Sequence, residues 1–226
     1  MSAIPRPAST VVLIDSQSRV YLTKRPETMK FMGGFYVFPG GAVDKGDQVH
    51  LPKVIDDSVT NESFNPAHYV AAARELFEEV GIVICKSQEG SVVHLDIEKQ
   101  AAYRRQLLDK DITFYDFLIQ EHLLLDFENL KYFGHIVTPE VSPIRFDTRF
   151  FLAKLPNGQL PHPDCHEISD AFWISPSEAI SEYESGKISL APPTLHSLKT
   201  IINYLNGEPL VMSRFHVNDY KLPFKK

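Results

Sequence analysis

The chain has 226 residues, 43% of them apolar and 23% charged, which suits one large globular domain with a real core. A net charge of −6 argues against a nucleic-acid binder that works by neutralising phosphates, and no apolar run reaches membrane-spanning length.

In chain order, Ala8 to Ile14 is β-branched and apolar and reads as a buried strand. Asp15 to Ser18 is a turn, and Arg19 to Arg25 returns as a second strand, giving a hairpin. Lys24 and Arg25 fit either a solvated strand end or a contact to substrate. Phe38-Pro39-Gly40-Gly41 opens a glycine-rich turn that runs to Asp47, and glycines there let bare backbone approach a ligand or metal. Gln48 to Asn65, with several Asp, Asn and Ser residues, reads as a surface excursion.

The next segment is the most informative. Asn65 and Pro66 suit a helix start, and Gly81 suits the left-handed residue that ends one. Between them Val70, Ala73, Phe77 and Val80 form one apolar stripe. Glu75, Glu78 and Glu79 crowd another patch, where each like-charged pair costs roughly a few tenths of a kcal/mol. Glu78 and Glu79 also lie in the last turn, where the helix dipole favours cations. A hard divalent cation would turn that repulsion into binding. An acidic solvated face is the plain alternative for the helix taken alone.

Beyond the helix, Ile82 to Cys85 reads as a short buried strand. Ile97 to Lys110 and Thr113 to Phe127 both show helical periodicity, and this pair is placed either as a cap over the active-site cleft, where it would choose substrate, or as a dimer contact. His122, Arg104 and Arg105 read as surface or packing residues. Lys131 to Pro139 is a strand and turn, and Ile144 to Ala153 is a strong strand. Arg145 fits a phosphate clamp or a structural partner of Asp147 or Glu140. His166 to Ile174 leads into another strand. Ser175-Pro176-Ser177-Glu178 caps a helix, which gives Glu178 a local task, and Pro192 to Leu205 is the final helix. Cys85 and Cys165 lack disulfide or zinc spacing, and Met1 to Pro7 does not read as a signal peptide. That cysteine usage makes the cytoplasm the expected compartment, and Phe224-Lys225-Lys226 does not match the Ser-Lys-Leu address.

Gly41-x5-Asp47 followed by Arg74-Glu75-Leu76-x-Glu78-Glu79-x-Gly81-Ile82 resembles the Nudix box, G-x5-E-x7-R-E-U-x-E-E-x-G-U with U apolar. The second half matches at every specified position. In the first half Asp47 stands where the family has Glu, and 26 residues rather than seven separate it from Arg74. Such an insertion resembles the peroxisomal-type coenzyme A diphosphatases of the family, as do Leu22-Thr23-x-Arg25, Gly33, Phe38-Pro39-Gly40-Gly41, Thr138-Pro139 and Arg145-Phe146-Asp147-Thr148.

The resemblance implies an α/β fold, a Nudix-type α/β/α sandwich around a mixed β-sheet. It would form a single domain over 1–226, with a loop insertion at about 48–65 and a helical one at about 97–127. It implies Mg²⁺ or Mn²⁺ on Glu75, Glu78, Glu79 and the Gly41 carbonyl, with Arg74 orienting Glu78. Glu79 or Glu167 would take the proton from water, with His166 a contender beside Glu167. Arg25, Arg145 and Gly40 would contact substrate. The expected reaction is hydrolysis of a diphosphate, with coenzyme A or acyl-coenzyme A cut to 3′,5′-ADP and (acyl-)phosphopantetheine. The alternatives are ADP-ribose or a dinucleotide such as NADH or FAD, or, from another class, a non-catalytic nucleotide sensor. A small-molecule nucleotide is thus the expected partner, with a homodimer possible and neither nucleic acid nor membrane as main partner.

Overall fold

The computed structural model describes residues 3–48, 65–91, 93 and 95–216. The expected loop insertion lies almost wholly outside them. The strands are β1 (Arg6–Ile14), β2 (Val20–Lys24), β3 (Tyr36–Val37), β4 (Gly40–Ala42), β5 (Cys85–Ser87), β6 (Leu123–Leu125), β7 (Lys131–Val137), β8 (Phe146–Lys154) and β9 (Asp170–Ile174). The helices are α1 (Ala67–Val80), α2 (Ile97–Leu108), α3 (Phe114–Gln120), α4 (Pro176–Glu184) and α5 (Pro192–Leu205).

Seven strands form one mixed sheet in which β1 lies parallel to β8 over its whole length, and β8 runs antiparallel to β7. On its other side β1 changes neighbour. Ala8, Ser9 and Thr10 pair with Ala42, Gly41 and Gly40 of β4, whereas Ile14 pairs with Val20 of β2. The glycine turn is thereby stitched beside the start of the central strand. β2 continues the sheet through β9 and β3.

Two-residue alternation splits the apolar side chains between two cores. Val11 and Leu13 of β1, with Phe151 and Ala153 of β8, pack with α1, α2 and α3. Val12 and Ile14, with Phe150 and Leu152, pack with α4 and α5. This is the expected α/β/α arrangement of helices about a mixed sheet.

α1 begins within a residue of the expected start, because the Asn65 side chain accepts from the Ala67 N–H at 3.0 Å. It ends where Gly81 turns left-handed at φ 73°, with its N–H donating to the Phe77 carbonyl.

The helical pair differs from expectation in two ways. Its second helix stops at Gln120, and Leu123–Leu125 instead forms a strand against Cys85–Ser87. The pair also packs on the outer face of α1, with Phe117 stacked on Phe77 at 4.9 Å. It does not cover the cavity described next.

Candidate active site

The site grows from Arg74, whose guanidinium is buried and uses all its donors. Nε and Nη2 hold the two carboxylate oxygens of Asp47 at 2.8 and 3.0 Å. Nη1 donates to Glu75 Oε1 at 2.9 Å and Glu78 Oε2 at 2.8 Å, and Nη2 also reaches the Ala42 carbonyl at 2.9 Å. A planar fork can satisfy this many acceptors in one plane only if each is rigidly placed. Asp47 meets that need from a short 3-10 turn, where its carboxylate also accepts from the Asp44 N–H. Burial opposes the Arg74 charge, but the Asp47 hydrogen bonds and the fields of Glu75 and Glu78 outweigh it and raise the pKa.

The carboxylates of α1 stand in the opposite position. Burial pushes Glu75 up to about 7, helped by Glu78 and Glu167 and opposed by Arg74. Glu78 is raised for the same first reason, with Arg74 again opposing. Glu79 is raised well above its ordinary value by burial, then by Glu75 and Glu167, against Arg25 and a 3.2 Å hydrogen bond from the Gly40 N–H. The site thus holds more acidic groups than its one clamped arginine can offset.

Glu75, Glu79 and Glu167 all line one cavity of about 370 Å³, together with Arg25, Gly40 and Gly41. Its remaining wall is largely apolar, built from Met29, Phe31, Phe38, Phe146 and Phe215 among others. The glycines are required by contact. A Cβ at Gly41 would fall 2.4 Å from Glu75 Oε1, and one at Gly40 would fall 2.3 Å from the Ser9 carbonyl. Side chains there would displace either the carboxylate or the central strand.

The family model described as the NUDT19 Nudix domain matches residues 56–201. The chain belongs to this family. A Caenorhabditis elegans relative that carries a nudix hydrolase name is 30% identical over 193 residues, covering 84% of this chain and 58% of the relative. The Homo sapiens protein named acyl-coenzyme A diphosphatase NUDT19 is 26% identical over 229 residues, covering 82% and 61%. The chain therefore spans about three fifths of the length of these two curated relatives. A crystal structure of a NUDIX hydrolase from Alicyclobacillus acidocaldarius superposes with a TM-score of 0.79 at 27% identity, covering 94% of this chain and 99% of that one.

The remaining residues singled out from the sequence can now be placed around the Nudix helix. Arg25 is at the cavity wall, its Nε donating to the Phe31 carbonyl at 3.1 Å. Arg145 is not. Its guanidinium donates to the carbonyls of Thr138 and Ala3, tying the β7–β8 turn to the chain before β1, while Asp147 pairs with Arg149. His166 is exposed and away from the cavity wall. Ser175 caps α4 through the Glu178 N–H, as expected. Asp47 anchors Arg74, and its place in the box is its one sequence signal. Arg104 is half-buried and packs on the end of α1.

Proposed function

We propose that this chain hydrolyses the diphosphate of coenzyme A or an acyl-coenzyme A to 3′,5′-ADP and (acyl-)phosphopantetheine, using Mg²⁺ or Mn²⁺. The observation that carries this reading is one cavity lined both by the carboxylates of Glu75, Glu79 and Glu167 and by a largely apolar wall. The carboxylates suit a metal-bound diphosphate, and the apolar wall suits the thioester arm. The acyl-coenzyme A diphosphatase name of the human relative supports the same substrate class. The reading takes the chain as a single Nudix domain with the loop and helical insertions, in keeping with β1 and β8 sharing one sheet.

Glu75, Glu78, Glu79 and the Gly41 carbonyl are the groups that would hold the metal. Their chemistry fits a hard cation, since three buried carboxyls with raised pKa values gather beside bare backbone. Among the described residues no three acidic, histidine or cysteine side chains converge tightly enough to enclose one ion. Arg74 donates to Glu75 and Glu78, and the Gly40 N–H donates to Glu79. When bound, a divalent cation neutralises diphosphate charge and lowers the pKa of water. Arg74 fixes the direction of Glu75 and Glu78, and Glu79 or Glu167 takes the proton from the attacking water. Water oxygen joins one phosphorus, and the bridging oxygen leaves with its electron pair on the other phosphate.

Product analysis by mass spectrometry tests this. Coenzyme A, acetyl-coenzyme A, ADP-ribose, NADH and FAD would be incubated with Mg²⁺, Mn²⁺ or EDTA, beside a Glu78→Gln, Glu79→Gln double variant. The expected result is 3′,5′-ADP only with metal and intact carboxylates. Dominant AMP from the other substrates would replace the substrate, and blank lanes throughout would favour the nucleotide sensor.

A further inference from the structure

We infer that Arg104, carried by the inserted helix α2, is a positioning residue that sets the relation between Glu79 and Glu167. This rests on the metal-dependent reading of the site. The last carbonyls of any helix lack partners within it, and here two of them belong to Glu78 and Glu79. Arg104 Nε donates to the Glu78 carbonyl at 3.0 Å, and Nη2 donates to the Glu78 and Glu79 carbonyls at 2.8 and 3.0 Å. Its Nη1 turns the other way, to the His162 carbonyl at 2.8 Å.

That second contact gives the arginine more than a capping task. His162 N–H donates to the Val80 carbonyl and Asp164 N–H to the Glu79 carbonyl, both at 2.8 Å. Asp164 in turn accepts from the Glu167 and Ile168 N–H groups through its own carbonyl. One guanidinium therefore pins the last turn of the Nudix helix to the loop that delivers Glu167 to the cavity. Glu79 and Glu167 reach that cavity from the two sides of this junction.

The arrangement is also costly. Arg104 is half-buried, and among the described residues it forms no ion pair. Burial lowers its pKa, against the more distant fields of Asp164 and Glu167. Burying a charge without a paired carboxylate is expensive unless fixed dipoles face it, and the negative end of α1 supplies them. Gly81 lies close under both side chains, since a Cβ there would lie 3.0 Å from Gln100 Oε1 and 3.3 Å from Arg104 Nη1. Gln100, one turn earlier on α2, offers an internal control, since its Nε2 donates to the Gly81 carbonyl and touches neither glutamate.

The test compares Arg104→Ala, Arg104→Lys and Gln100→Ala in the full chain. It reads the Mn²⁺ dissociation constant by calorimetry, kcat and KM with coenzyme A, and the melting temperature. Loss of a residue that orients metal ligands weakens binding by about 10–100-fold. Arg104→Ala is expected to weaken Mn²⁺ binding in that range and to lower kcat with KM unchanged. Gln100→Ala is expected to lower the melting temperature and leave Mn²⁺ binding and kcat as in the wild type. Wild-type Mn²⁺ affinity and kcat in folded Arg104→Ala would overturn the inference. If that variant does not fold, Arg104→Lys, which keeps the charge and loses the fork, decides on the same two readouts. A wild type that binds Mn²⁺ but leaves coenzyme A intact removes the proposed substrate, while the Mn²⁺ comparison still judges Arg104.

Discussion

Glu79 is the residue at which folding and chemistry oppose each other most directly. Its carboxyl is buried, it faces Glu75 and Glu167, and its one hydrogen bond in the described structure comes from the Gly40 N–H. Neutralising it removes repulsion from the metal-free fold but also removes a proposed metal ligand and candidate base. Glu79→Gln is expected to cut turnover by about 10²-fold or more while raising the melting temperature of the metal-free protein. Steady-state kinetics beside a thermal melt checks both signs, and unchanged turnover would rule Glu79 out of the chemistry. Asp47 predicts the reverse pairing. Asp47→Asn leaves the buried Arg74 short of its bidentate partner, and breaking such a pair costs on the order of 3 kcal/mol. Urea unfolding should register this loss, with Glu75 and Glu78 still present in sequence but less firmly oriented.

At the scale of elements, the parts readable from the sequence were those governed by local rules. The β-branched run of β1, the stripe and caps of α1 and the Ser175 cap of α4 each follow from neighbours within a few residues. What escaped was settled by contacts distant in the chain. Leu123 to Leu125 carries an apolar run that suits helix or strand, and only pairing with Cys85–Ser87 decides it. Asp47 and Arg74 meet across 26 intervening residues, so spacing gave no sign of their contact. Arg104 binds backbone carbonyls, which leave no mark on a sequence. The glycine turn was legible as a place of close backbone approach, and the structure shows that Gly41 approaches the Glu75 carboxylate. Gly41→Ala is accordingly expected to push Glu75 aside, since the new Cβ would sit 2.4 Å from its Oε1. Mn²⁺ affinity should fall by roughly tenfold, the cost of a disturbed metal environment. Calorimetric titration with Mn²⁺ measures it, and an unchanged affinity would show that Glu75 moves without consequence.

For the molecule as a whole, the raised carboxyls make stability a function of pH and metal together. A carboxyl whose folded pKa exceeds its unfolded value keeps a proton that the unfolded chain has already lost. Folding then costs progressively more as pH rises from 4.5, the ordinary value, through about 7 for Glu75, with Glu78 and Glu79 shifted in the same direction. The metal-free protein should therefore melt several degrees lower at pH 8 than at pH 5.5, given about 2–4 °C per kcal/mol for a chain of this size. In the proposed metal site Mg²⁺ would bind the ionised carboxylates, so its stabilisation should grow over the same interval, and binding near pH 6 should release protons. Thermal melts at both pH values with and without Mg²⁺ give the first sign. Calorimetry in buffers of different ionisation enthalpy gives the second. If the Mg²⁺-induced shift were the same at pH 5.5 and pH 8, the ion would be binding somewhere other than the carboxylates of α1. A Glu75→Gln, Glu79→Gln variant supplies the matching control, because without those two acids both the acid-side gain and the alkaline Mg²⁺ response should flatten together.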